Sequence, residues 1–148
     1  MSNQRPIGIF DSGFGGLTVA RAVIDLLPEE DVVYFGDTAR YPYGPQPLEQ
    51  VREYAEQITN LLISKHDVKM VVIACNTAAA AALGSLGEAL EIPVVGVIEP
   101  GAQAVIEVSR RKRIGVIGTV GTISSGAYQK TIEEIAGINA EVTCIPCP

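Results

Sequence analysis

The sequence predicts an α/β fold in which parallel sheets carry helices on both faces, and three observations predict it. Short β-branched runs alternate with longer helical patterns along the whole chain, which is the order of parallel β-α-β units. Four of those runs, the first, third, fourth and fifth, are apolar along most of their length without period-two alternation, as strands covered on both faces require. The junctions are punctuated by glycine and proline, and these residues follow no repeating period, so collagen-like and low-complexity chains are excluded.

Taken in order, strands are expected at Pro6 to Phe10, Asp31 to Phe35, Lys69 to Ala74, Pro93 to Val97, Arg113 to Ile117 and Glu141 to Ile145. Helices are expected at Gly16 to Leu27, Leu48 to Ser64, Thr77 to Leu90, Gly101 to Ser109 and Thr122 to Ala136, with Pro28 closing the first and Pro47 suited to the first turn of the second. Ligands of such sheets gather at the carboxyl ends of the strands, so the residues just after each strand carry the functional reading.

Composition narrows the partners. With 47% apolar and 19% charged residues the chain reads as globular rather than disordered. Seventeen acids against eleven bases give a net charge of -6, and the one basic cluster, Arg110-Arg111-Lys112-Arg113, is short and abuts an apolar strand, so nucleic acid is not expected. The longest apolar runs, Met70 to Cys75 and Ala78 to Leu83, are far shorter than the roughly 20 residues of a bilayer span. Met1 to Phe10 lacks the apolar core of a secretory signal, and a cytoplasmic location is the expectation. Cys75, Cys144 and Cys147 are spaced for neither a disulfide framework nor a zinc site, so reduced thiols and no metal are expected.

Two turns look alike. Ile7-Gly8 leads into Asp11-Ser12-Gly13-Phe14-Gly15-Gly16, and Ile114-Gly115, 107 residues further on, leads into Gly118-Thr119-Val120-Gly121-Thr122. The match suggests two related α/β halves, although any strand-to-helix turn tends toward this pattern. Gly-rich turns of this kind often hold phosphate, but Thr18 stands where the dinucleotide fingerprint needs Gly or Ala, and neither turn has the Gly-Lys-Ser/Thr of a P-loop. A carboxylate at Asp11 would repel phosphate and suits a ligand with an ammonium group.

The sharpest feature is Met70-Val71-Val72-Ile73-Ala74-Cys75-Asn76-Thr77-Ala78, where a buried strand delivers a thiol to its carboxyl end as a helix begins. Unpaired N-H groups and the helix dipole favour a thiolate there. Asn76 or Thr77 would cap the helix while its neighbour offers donors to a substrate carboxylate. A small thiol packing a strand end would give the same residue. The stretch Tyr34 to Gly44 is too polar and too interrupted for core and should line a cleft, with the Tyr43 hydroxyl or the Gly44 N-H reaching a ligand.

Asp11 to Thr18, then Tyr34-Phe35-Gly36-Asp37-Thr38-Ala39-Arg40 with Pro42-Tyr43-Gly44, then Cys75-Asn76-Thr77-Ala78, then Gly115-Val116-Ile117-Gly118-Thr119 resemble the bacterial glutamate racemases in type, order and spacing. The resemblance implies a cofactor-independent isomerase that interconverts L- and D-glutamate for peptidoglycan synthesis in the cell wall, built from two pseudo-symmetric α/β domains. It implies that Cys75 is one of two catalytic thiols and that Asp11 assists it and faces the substrate amine. Ser12, Tyr43, Gly44, Asn76 and Thr77 would hold the amino acid, with Thr119 a further candidate. Inversion at Cα needs a base on each face, and a dry pocket dense in donors must then stabilise the carbanion. Of the four Lys, none follows a strand at the expected cleft, which speaks against a Schiff-base cofactor.

The family's second Cys, in a Cys-Thr-His motif, is absent. The repeat offset counted from Cys75 places it at about position 182, past Pro148. The chain therefore reads as the amino-terminal part of such an enzyme: residues 1–98 a first domain without its returning carboxyl-terminal segment, residues 99–148 the start of a second. Cys144 and Cys147 read as structural and His66 as solvated. An aspartate racemase-type relative and a noncatalytic ligand-binding α/β module stay open as alternatives, as does a homodimer.

Overall fold

The computed structural model describes residues 3–137 and 140–147; Met1, Ser2, Ile138, Asn139 and Pro148 lie outside the described residues, and with them the ends of the Met1 to Phe10 and Thr143 to Pro148 readings. Six strands and six helices alternate as β1 (Ile7–Asp11), α1 (Leu17–Leu26), β2 (Val32–Gly36), α2 (Leu48–His66), β3 (Met70–Ile73), α3 (Asn76–Ala89), β4 (Val94–Gly96), α4 (Ile98–Val108), β5 (Arg113–Gly118), α5 (Val120–Ser124), α6 (Ala127–Ala136) and β6 (Glu141–Pro146). The first four strands form one parallel sheet in the order β2-β1-β3-β4, and β5 pairs in parallel with β6 in a second sheet.

All five residues of β1 are buried, because the strand is central and both faces are covered. On one face Phe10, Val71 and Ile73 pack with Val51, Ala55, Ile58 and Leu62 of α2 and the alanine-rich side of α3. On the other, Ile7, Ile9, Val72 and Ala74 pack with Ala20, Val19 and Val23 of α1. Gly8 is fixed by this packing, since a Cβ there would stand 3.0 Å from Val68. Its counterpart in the apparent repeat, Gly115, meets nothing within 4 Å.

The second sheet differs from the first. Ile114 packs with Ala102 of α4 and Ile132 of α6, so helices cover that face. The opposite face of β5 and β6 is bare among the described residues, with Ile117 75% exposed and Ile145 55% exposed.

Most boundaries differ from the expected ones by one or two residues, and three departures are structural. Helix α4 begins at Ile98 rather than Gly101, and Pro100 sits in its first turn, where its missing N-H has no intrahelical partner to lose. The single helix expected over Thr122 to Ala136 is broken into α5 and α6 by Gly126, whose φ of 70° lies in the left-handed region. Pro47 is the residue before α2 rather than part of its first turn, with ψ at 137°.

Candidate active site

Asp11 ends β1, and Cys75 follows its neighbour β3 by two residues, so the central pairing brings them to the same carboxyl edge. Ala74 N-H donates to the Phe10 carbonyl at 2.8 Å and continues that pairing one step past β3. Cys75 then turns extended, with φ -107° and ψ 124°, and its carbonyl accepts the Ala79 N-H at 2.8 Å as the N-cap of α3. The thiol therefore stands at the positive end of a 14-residue helix, with 7% of the residue exposed.

Asp11 is held rigidly. Its Oδ2 accepts the Gly16 N-H at 2.8 Å, just ahead of α1. Gly16 has to be glycine for this approach, because a Cβ would fall 2.6 Å from the Asp11 Cβ. Ser12 bridges outward: Cys75 Sγ donates to Ser12 Oγ at 3.5 Å, and Ser12 Oγ donates to Asp11 Oδ1 across an equally long 3.5 Å. The acid thus stands one hydroxyl removed from the thiol.

The loop after β2 supplies another wall. Tyr41, Pro42, Tyr43 and Gly44 line the same cavity as Asp11, Ser12 and Cys75, a space of about 460 Å³, in the size range of small-molecule sites. The Tyr41–Pro42 peptide is cis. Expected to be all cleft, the loop is in part core: Tyr43 is 1% exposed and Asp37 4%. The Tyr43 hydroxyl donates to Asp37 Oδ2 instead of reaching the cavity, and Arg40 Nε donates to that oxygen at 2.5 Å. Burial and the hydrogen bond to Asp37 push the Tyr43 phenol well above its ordinary range, which keeps it a neutral donor.

Neither Asn76 nor Thr77 is the cap of α3, because Cys75 is the N-cap residue and both already lie in the first turn, their side chains bonded to residues around the second sheet. Asn76 Oδ1 accepts the Tyr128 hydroxyl at 2.8 Å. Thr77 Oγ1 lies 2.9 Å from Thr119 Oγ1 and 3.2 Å from Thr122 Oγ1, which are 3.0 Å from each other. Thr119 also caps α5, accepting the Thr122 N-H at 3.2 Å. Gly44 joins this contact: its carbonyl accepts the Gly121 N-H at 3.3 Å, and a Cβ on it would lie 2.7 Å from Thr119 Cγ2.

Asp11, Ser12, Tyr43, Gly44, Cys75, Asn76, Thr77 and Thr119 all line this one cavity. Cys144 lies on β6 and Cys147 just after it, and neither lines the cavity; His66 is exposed at the end of α2. Four residues that hold the site have no role assigned to them in the sequence analysis. Asp37 and Arg40 stand three apart in the loop after β2, inside the Tyr34 to Arg40 motif, and their i,i+3 spacing is the signal of an ion pair. Thr122, the last residue of the second Gly-rich turn, lies in α5, and Tyr128 comes from α6, where nothing local marks it. Among the described residues no group of three His, Cys, Asp or Glu is arranged to hold a metal ion, and no helix is long and apolar enough to cross a membrane.

A parallel α/β sheet that brings a thiol at a helix N-terminus, a carboxylate and amide and hydroxyl groups around one cavity has the build of the α/β proteins that bind small molecules at their strand ends. Residues 17–145 match the Asp/Glu/Hydantoin racemase family, and the chain belongs to it. It is 52% identical over 146 residues to a glutamate racemase of Streptococcus gordonii, covering 99% of this chain and 54% of the relative, and 52% identical over 148 residues to one of Enterococcus faecalis. Glutamate racemase isoform RacE1 from Bacillus anthracis superimposes with a TM-score of 0.94 at 48% identity, over 99% of this chain and 55% of that one. A glutamate racemase from Francisella tularensis in complex with D-glutamate superimposes with a TM-score of 0.88 at 43% identity. The chain spans about half the length of the relatives it matches.

Proposed function

We propose that the chain contributes one face of a glutamate racemase active site, with Cys75 as the base for that face and D-glutamate for cell-wall synthesis as the product of the whole enzyme. The observation that carries this reading is the position of Cys75 at the α3 N-terminus, in a cavity shared with Asp11, Ser12, Asn76 and Thr77. The glutamate racemases it resembles, one of them solved with D-glutamate, supply the substrate.

The chemistry follows from the groups present. The Cys75 thiolate takes the Cα proton, forming an S-H bond as the Cα-H bond breaks, and the electron pair moves into the carboxylate. Donors at the start of α3, together with the Asn76 amide, stabilise the charge that develops there. Asp11 and Ser12 attract the substrate ammonium and keep the thiol oriented. Return of a proton to the opposite face inverts the centre, and among the described residues the cavity holds no second thiol to donate it.

Alkylation by iodoacetamide at neutral pH, mapped by mass spectrometry, tests the site. Cys75 is expected to react fastest, Cys147 next, and Cys144 slowest, since burial raises the Cys144 thiol. Glutamate is expected to slow Cys75 saturably and leave the other two unchanged. Equal rates for all three, with no effect of glutamate, would remove Cys75 from the mechanism.

A further inference from the structure

Among the described residues Asn76 has its side chain held across the gap between the sheets by one hydrogen bond. It is exposed and is the first residue of α3, with no cap bond of its own. It lines the Cys75 cavity and also a neighbouring one of about 390 Å³ between α4, β5 and α6. An asparagine on such a wall can point either end of its amide at the ligand, and the two ends are opposite in character: one accepts, the other donates twice. A carboxylate requires the donor.

From the second cavity comes Tyr128, whose hydroxyl donates to Asn76 Oδ1 at 2.8 Å. With the oxygen end occupied, the NH2 end is the one left for the Cys75 side. Three features make Tyr128 a fixed donor. Its ring is half-buried against both the main core and the cluster of the second sheet, so it cannot swing freely. Gly101 of α4 leaves the space its hydroxyl occupies, as a Cβ there would lie 3.3 Å from the oxygen. Burial holds its phenol above the ordinary range, so it keeps its proton across neutral pH.

We infer that Tyr128 is a positioning residue for the proposed site: its hydroxyl fixes the Asn76 amide so that the NH2 faces a ligand carboxylate in the Cys75 cavity. The inference rests on the functional reading above for the identity of the ligand, but not for the Tyr128–Asn76 bond itself. Tyr128→Phe deletes one oxygen and keeps the ring packing, so the fold is expected to survive.

Two readouts separate the two levels. The first is the 15N heteronuclear NOE of the Asn76 side-chain NH2, its resonance assigned by loss in Asn76→Ala. It is expected to be rigid in the unaltered chain and mobile in Tyr128→Phe, with backbone values unchanged. The second is the glutamate concentration that half-protects Cys75 from iodoacetamide. It is expected to rise about fivefold to tenfold in Tyr128→Phe, the weight of one neutral hydrogen bond. In an Asn76→Ala background Tyr128→Phe is expected to add nothing further. An Asn76 amide equally rigid with and without the hydroxyl would overturn the inference, and so would an unchanged half-protecting concentration or an equal loss in the Asn76→Ala background. Absence of any protection by glutamate in the unaltered chain would overturn the functional reading instead, and the NOE comparison would still decide the role of Tyr128.

Discussion

A phenol with 1% of its surface exposed must place its proton on a partner, and for Tyr43 that partner is Asp37. Arg40 then balances the buried carboxylate, donates to Gln57 Oε1 at 2.7 Å, and lies 4.3 Å over the Tyr54 ring. Five side chains, three from the loop and two from α2, thus hold one another beside Gly44. The pairing has a pH signature. The folded phenol titrates above its ordinary value of 10.0, so its contribution to stability is complete below pH 10 and is lost as pH rises beyond it toward the folded value. Stability measured by denaturant unfolding is expected to fall above pH 10, and Tyr43→Phe is expected to flatten that fall by up to one proton, about 1.4 kcal/mol per pH unit. Tyr34, Tyr128 and Cys144, which burial also raises, contribute to the slope left in the variant. An identical slope in both proteins would show that Tyr43 is not the buried donor.

At the scale of elements, the contact between the loop after β2 and the turn before α5 decides how the second sheet meets the first. Gly44 and Thr119 touch so closely that a Cβ at position 44 would fall 2.7 Å from Thr119 Cγ2 and 2.9 Å from its Cβ. Gly44→Ala is expected to push this turn outward, at a cost of about 1–3 kcal/mol in unfolding stability. Because Thr119 and Thr77 are bonded, glutamate protection of Cys75 is expected to weaken as well. A variant with full stability and full protection would show that the two segments are not in firm contact. The elements that carry Asp11 and Cys75 were legible in the sequence for a physical reason. β1 up to Phe10 and the whole of β3 are apolar because helices cover both faces, and this places their ends to within one residue. The break between α5 and α6 was not legible, since a glycine inside a helical pattern reads the same whether its φ is negative or, as at Gly126, 70°. The threonine cluster and the Tyr128 bond escaped for a different reason: they join residues 42 to 52 positions apart, and no local pattern encodes such a pairing.

At the scale of the whole molecule, the cavity is a property of two sheets rather than one. The first sheet supplies Asp11 and Cys75 from adjacent strands. The segments around the second supply Thr119, Thr122 and Tyr128, and each of these holds a residue at the start of α3. Among the described residues one thiol faces the cavity, and under the proposed function proton removal and return through it would happen on one face of Cα. The direct measurement is to incubate the purified chain and its Cys75→Ala variant with D-glutamate in deuterated water, following Cα deuterium by NMR alongside optical rotation. The expected result is slow deuterium uptake with rotation unchanged, lost in Cys75→Ala. Loss of rotation in step with deuterium uptake, or uptake that persists in Cys75→Ala, would contradict the assignment of Cys75 as the single base on this face.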